Sequence, residues 1–215
     1  MYKRQELEKQ GLAENTVIIY TADNGYYLGD RGFAGKWTHY DESLRVPLIV
    51  HDPRLPESKQ GKVVSEMALN SDLASTIIDL ADLPVPKAHT GRSLAPLIGG
   101  KEVSGWRKDF LCEFLAVPGT IPRWEGVRGE HMTYARYFVN GPSEHPYEFL
   151  FDLKNDPRQL TNLVDGNREH PFLGRMRNRC DQLIAMAGPT MKEVGETSRK
   201  PPKKREKPAA KAPQK

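Results

Sequence analysis

Cysteine is scarce in this 215-residue chain. Only Cys112 and Cys180 occur, and neither stands in a CxxC or similar pattern. Zinc-finger ligation and dithiol redox chemistry therefore have no basis, and two buried or half-buried thiols are the expectation. Long apolar runs are also missing. The longest are about five residues, far short of what crosses a bilayer. The N-terminal MYKRQELEKQGL has no apolar core of the signal-peptide kind. A broadly basic surface is missing too. The net charge is +4, but residues 198–215 carry eight Lys or Arg against one Glu, so the other 197 residues sum to −3. Basicity confined to one tail excludes a domain-wide nucleic-acid face.

What remains is a chain with 38% apolar and 28% charged residues, enough for a real core. Residues 6–12 read as a helix end with Gly11 as its stop. Val17, Ile18, Ile19 and Tyr20 form a β-branched run without alternation, which predicts a strand buried on both faces of a parallel sheet. Residues 45–50 predict the next strand, ended by Pro53 and Pro56. Val63, Val64 and Met67 suggest a short extended piece. Ser71 or Asp72 caps a helix through Leu73, Ile77, Ile78 and Leu80. Pro84 and Pro86 stop it.

Residues 87–108 form a loop-rich connection, and the pattern then changes. Four short aromatic-rich strands are expected over 109–117, 124–128, 132–140 and 147–152, in an antiparallel sheet. A helix follows from about Pro171, with Leu173, Met176, Cys180, Leu183 and Ile184 on one face. The expected organisation is an α/β region over 1–86, the connection, a smaller α+β subdomain over 109–187, and a disordered basic tail over 188–215.

The stretch VIIYTADNGYYLGDRGFAGKWTHYDESLRVPLIVHDP, residues 17–53, carries the chemistry. Asp23-Asn24-Gly25 follows directly on the predicted strand. It fits an ordinary Asn-Gly turn. Alone it fits that turn better than it fits a pair of hard oxygen ligands for Ca²⁺ or, less well, Mg²⁺, and the residues downstream shift the balance. Gly29, Gly32 and Gly35 then make a loop that can approach a ligand closely. Lys36, twelve residues after Asn24, reads either as a solvated lysine or as a point charge for a sulfate or phosphate oxygen. Arg31 and His39 are weaker candidates, as an oxyanion donor and a proton donor. Glu113, Arg123 and Arg128 could reach a ligand from the smaller subdomain or form salt bridges at the sheet.

YTADNGYYLGDRGFAGKWTHYDESLRVPLIV resembles the sulfatases of the alkaline-phosphatase superfamily, in the part after mid-chain. The resemblance implies that Asp23 and Asn24 bind Ca²⁺ and that Lys36 contacts the substrate sulfate. It makes Glu42 and Arg45 architectural. His89-Thr90-Gly91-Arg92-Ser93-Leu94 and Phe149-Leu150-Phe151-Asp152-Leu153 resemble later family segments, so the likeness covers about residues 6–187. The nearest likeness is to bacterial carbohydrate sulfatases, of the N-acetylglucosamine-6-sulfatase and iduronate-2-sulfatase kinds.

The fold implied is the C-terminal part of an alkaline-phosphatase-like mixed or parallel sheet with helices on both faces, then a small antiparallel-sheet-plus-helix subdomain. Two departures stand out. Arg31 occupies a position where many relatives have His. No C/S-x-P-x-R motif occurs, so the formylglycine nucleophile of a sulfatase is not encoded in these residues. The expectation is the C-terminal part of a sulfatase for sulfated carbohydrate, inactive alone and prone to associate through an exposed sheet. Its parent family is periplasmic or secreted. A glycan-binding remnant and a phosphodiesterase or phosphonate hydrolase of the same superfamily are the alternatives.

Overall fold

The computed structural model describes residues 2–115, 121–138 and 146–187. The expected basic tail, and the far ends of two expected strands at 116–117 and 139–140, lie outside the described residues. Helix α1 (Tyr2–Lys9) buries none of its side chains, as its charged sequence requires. Gly11 ends it in the left-handed conformation at φ +68°.

Strand β1 (Ile18–Thr21) pairs with β2 (Leu48–His51). The pairing is antiparallel, with Ile18 opposite His51 and Thr21 opposite Leu48. The expected parallel arrangement does not occur within this pair. Burial on both faces does not occur either: Tyr20 and Ile49 face each other across the strands and are 62% and 61% exposed. A β-branched run specifies a strand but not the direction of its neighbour, because both sheet types accept it. Val63 and Val64 join no sheet among the described residues and are exposed.

Helix α3 (Asp72–Leu80) lies where its periodicity puts it. Neither expected residue caps it in the ordinary way: Ser71 occupies the cap position without a side-chain bond, and Asp72 is already helical. Asp72 instead collects partners from other segments. Its carboxylate accepts the backbone N–H of Leu69 and of Arg92, each at 2.8 Å, and a two-pronged contact from Arg107 at 2.5 and 2.7 Å. Gly91 lets the chain pass over this helix start, since a Cβ there would stand 1.9 Å from the Ser71 carbonyl oxygen. The one-turn helix α4 (Ala95–Ile98) then packs on α3.

The second half is an antiparallel meander of β3 (Asp109–Phe114), β4 (Arg123–Gly129), β5 (Met132–Phe138) and β6 (Tyr147–Asp152), in that order across the sheet. The two-residue period splits it cleanly. Leu111, Val127, Tyr134 and Leu150 point to one face and meet Leu173, Met176, Cys180 and Leu183 of helix α5 (Pro171–Ala187). Cys112, Trp124, Ala135, Tyr137 and Phe149 point to the other. That second face is covered by the first half of the chain, through residues 37–44, so the sheet is a wall against which the candidate site is built. No helix among the described residues is long and apolar enough to cross a membrane.

Candidate functional site

Asp23, Asn24 and Lys36 come together although twelve residues separate the last two. The Lys36 ammonium donates a hydrogen bond to the Asn24 amide oxygen. It stands 3.9 Å from the Asp23 carboxylate, whose side chain is 87% exposed. Asp23 Oδ1 accepts the backbone N–H of Asn24 at 3.0 Å, and the Asn24 amide nitrogen donates to the Gly25 carbonyl at 2.8 Å. The turn is thus organised by its own side chains, with the Asp23 carboxylate turned outward.

The loop between them is closed by backbone. Tyr27 N–H donates to the Gly35 carbonyl at 2.9 Å and Gly29 N–H to the Phe33 carbonyl at 3.0 Å, so residues 27–35 return on themselves. Tyr27 is buried beneath, edge-on to Phe33, with its hydroxyl hydrogen-bonded to that of Thr38. Burial pushes the Tyr27 hydroxyl up to about 12, so it stays protonated.

Two residues that the sequence did not single out fix the geometry. Ser43, in the one-turn helix α2 (Asp41–Leu44), accepts the Gly25 N–H on its carbonyl at 2.9 Å and donates its hydroxyl to the Lys36 carbonyl. It therefore ties the turn to the lysine. Asn70 donates its amide to the Asp23 carbonyl at 2.8 Å. Neither left a signal, because a serine and an asparagine in unremarkable context look like any other. Gly25 is required by contact: a Cβ there would lie 2.1 Å from the Glu42 carbonyl oxygen.

His39 is not at the site. It is 1% exposed, ringed by Tyr40, Trp124, Tyr137, Phe149 and Phe151, with Nδ1 2.8 Å from the Tyr137 hydroxyl. Burial, aided by the Arg31 charge, pushes it down to about 3, so it stays neutral. The expected proton donor is a plug in the aromatic face of the sheet.

Arg31 also departs from expectation. It sits at φ +57°, and its guanidinium meets Glu42 at 3.0 Å, the Gln159 carbonyl at 3.0 Å, the Arg158 carbonyl and the Tyr40 ring face at 4.1 Å. Within the chain it forms a clamp between the loop and residues 158–159, and Glu42 is its architectural partner. Arg31→Ala is expected to cost about 2–3 kcal/mol in urea denaturation, since charged hydrogen bonds are lost, while affinity for a sulfate ester stays unchanged. A loss of affinity at unchanged stability would restore the substrate role.

Arg128 likewise faces protein, gripping Asp41 with two bonds of 2.8 and 2.9 Å. Cys112 and Cys180 are free and buried, and burial pushes both thiols up to about 12, which removes them as nucleophiles at neutral pH. Among the described residues, no group of three or more His, Cys, Asp or Glu could hold a metal ion. Asp23 and Asn24 nonetheless offer the hard oxygens that suit Ca²⁺, as part of a ligand shell.

Comparison with known proteins identifies the relatives of the chain. A family model described as N-sulphoglucosamine sulphohydrolase, C-terminal, matches residues 29–186. The N-acetylglucosamine-6-O-sulfatase of Bacteroides thetaiotaomicron is 34% identical over 161 residues, 73% of this chain and 28% of that protein. A solved structure of a protein in complex with its substrate D-glucosamine-2-N,6-O-disulfate superposes with a TM-score of 0.73 at 27% identity, covering 92% of this chain and 38% of the other. A phosphonate monoester hydrolase from Silicibacter pomeroyi superposes with a TM-score of 0.71 at 26% identity, covering 86% and 37%. The chain spans less than half the length of each of these proteins. The fold is that of the alkaline-phosphatase-like sulfatases, and the match over residues 29–186 shows that the chain belongs to the sulfatase family, through its C-terminal part.

Proposed function

We propose that this chain supplies the calcium- and sulfate-holding part of a sulfuric ester hydrolase for sulfated carbohydrate, with a 6-sulfated glucosamine as the best-supported substrate type. The observation that carries this is the junction of Lys36 with Asn24 and Asp23, a cation and two hard oxygen donors on one exposed rim. Asp23 and Asn24 would hold Ca²⁺, in preference to Mg²⁺, which demands a more complete octahedral shell. The ion, when bound, polarises the sulfate. Lys36 would hold a sulfate oxygen as a point charge, exchanging its Asn24 partner for the anion, and the Ser43 hydroxyl, donated to the Lys36 carbonyl, fixes the backbone that carries it. A periplasmic or secreted location goes with this reading.

The nucleophile has no candidate here, because the sequence lacks C/S-x-P-x-R and both thiols are buried. Pure chain is therefore expected to release no sulfate from an aryl sulfate. Calcium should raise its melting temperature, by about 1–3 kcal/mol of added stability at saturating excess, and Asp23→Ala should remove the shift. Glucosamine-6-sulfate should bind, and Lys36→Ala should weaken it by about tenfold or more. No calcium shift together with sulfate binding that ignores Lys36→Ala would defeat the reading. The likeness to a phosphonate monoester hydrolase favours a second reading, hydrolysis of a phosphorus ester. Tighter binding of methylphosphonate esters than of sulfate esters would select it.

A further inference from the structure

Trp37 stands beside the proposed sulfate-binding lysine and is 47% exposed. A ring of that size exposed on a mobile surface would be unremarkable. This ring is held. Its residue's carbonyl accepts the Trp124 indole N–H at 2.8 Å, which ties it to β4. The indole packs on Phe114 of β3, with centroids 5.6 Å apart and planes at 55°. Gly35 lies against its edge, where a Cβ would stand 3.2 Å from the indole nitrogen. The Lys36 ammonium lies over the ring, 5.6 Å from its centroid.

A fixed, half-open aromatic surface with a cation over it has a specific chemical complement. A pyranose presents C–H groups on one face, which pack on an aromatic plane, while an exocyclic sulfate projects from its edge. Tyr26 and Phe33 of the same loop are also exposed. Apolar surface concentrated beside a charged site marks ligand contact. We propose that Trp37 is the platform for the sugar ring whose sulfate Lys36 holds, so that the site prefers a sulfated pyranose to a sulfate ester without a sugar ring. This rests on the sulfatase reading above.

The test is calorimetric titration of the chain, in calcium, with glucosamine-6-sulfate and with methyl sulfate. Glucosamine-6-sulfate is expected to bind about three- to tenfold tighter. Trp37→Ala should bring that ratio to one while leaving methyl sulfate affinity unchanged. Trp37→Leu, which keeps apolar contact with Phe114 but loses the flat face, should do the same, and Trp37→Phe should keep most of the preference. A preference that survives both Trp37→Ala and Trp37→Leu overturns the platform, as does equal binding of the two esters to the unsubstituted chain. If neither ester binds, the sulfatase reading fails first and the platform with it.

Discussion

Replacing Asp72 with alanine is expected to cost about 3–5 kcal/mol of folding stability, the range for breaking a buried ion pair by removing one partner. Asp72 is fully buried, and its Arg107 partner is largely so. The substitution leaves the Arg107 guanidinium without its countercharge and the N–H groups of Leu69 and Arg92 without their acceptor. Each of those losses is costly in a low-dielectric interior. Three segments are held by this one carboxylate: the approach to α3, the turn at residues 91–92 and the connection at residue 107. Urea denaturation of the purified chain measures the loss. The double variant Asp72→Ala/Arg107→Met should recover part of it, because the uncompensated charge is gone. A loss below about 1 kcal/mol for Asp72→Ala would show that the hub is not structural.

Acidification is expected to unfold the chain through His39 before its carboxylates contribute fully. The folded state holds His39 neutral, pushed down to about 3, against about 6.5 in an unfolded chain. Between those values the unfolded chain binds one more proton than the folded one. Stability is therefore essentially complete above about pH 6.5 and falls as pH is lowered toward 3, with a slope approaching 1.4 kcal/mol per unit and a total of about 5 kcal/mol. His39→Phe should fit the aromatic cage and stay within about 1 kcal/mol of the parent at pH 7.5. At pH 5 it should be the more stable protein. Urea melts across pH 4.5–7.5 decide the matter. An unchanged acid slope in His39→Phe would mean that the imidazole is accessible, and its candidacy as a proton donor would return.

The two halves of the chain were legible to different degrees. In the second half, apolar and aromatic residues recur at the two-residue period, and the four strands follow. The α5 face was read residue by residue, from Leu173 to Ile184. In the first half, the β1 and β2 segments were located, but the direction of pairing and the degree of burial were not. A four-residue apolar run carries no record of what lies beside it. Asp23, Asn24 and Lys36, which the structure brings together, were singled out in the sequence because an Asp-Asn-Gly turn, a glycine-rich loop and a lysine at fixed spacing are local chemistry. Ser43 and Asn70, which hold those residues in place, were not.

Arg31 and His39 show where local reading stops. Both look like site residues, one in a glycine-rich loop and the other close behind a lysine. Yet one closes on carbonyls 127 and 128 positions away, and the other is buried under Tyr137, 98 positions away. Trp37 is the converse case, a residue of no apparent note until Phe114 and Trp124 hold it beside Lys36.

The sequence by itself determined the family, the second-half sheet and helix, the oxygen pair with its lysine, and the lack of an encoded nucleophile. Each of these rests on residue type and spacing within a short window. Only the tertiary structure decided which polar residues face solvent and which face protein. That choice depends on partners contributed from distant strands, and on the cost of burying any charge or imidazole that those partners do not satisfy.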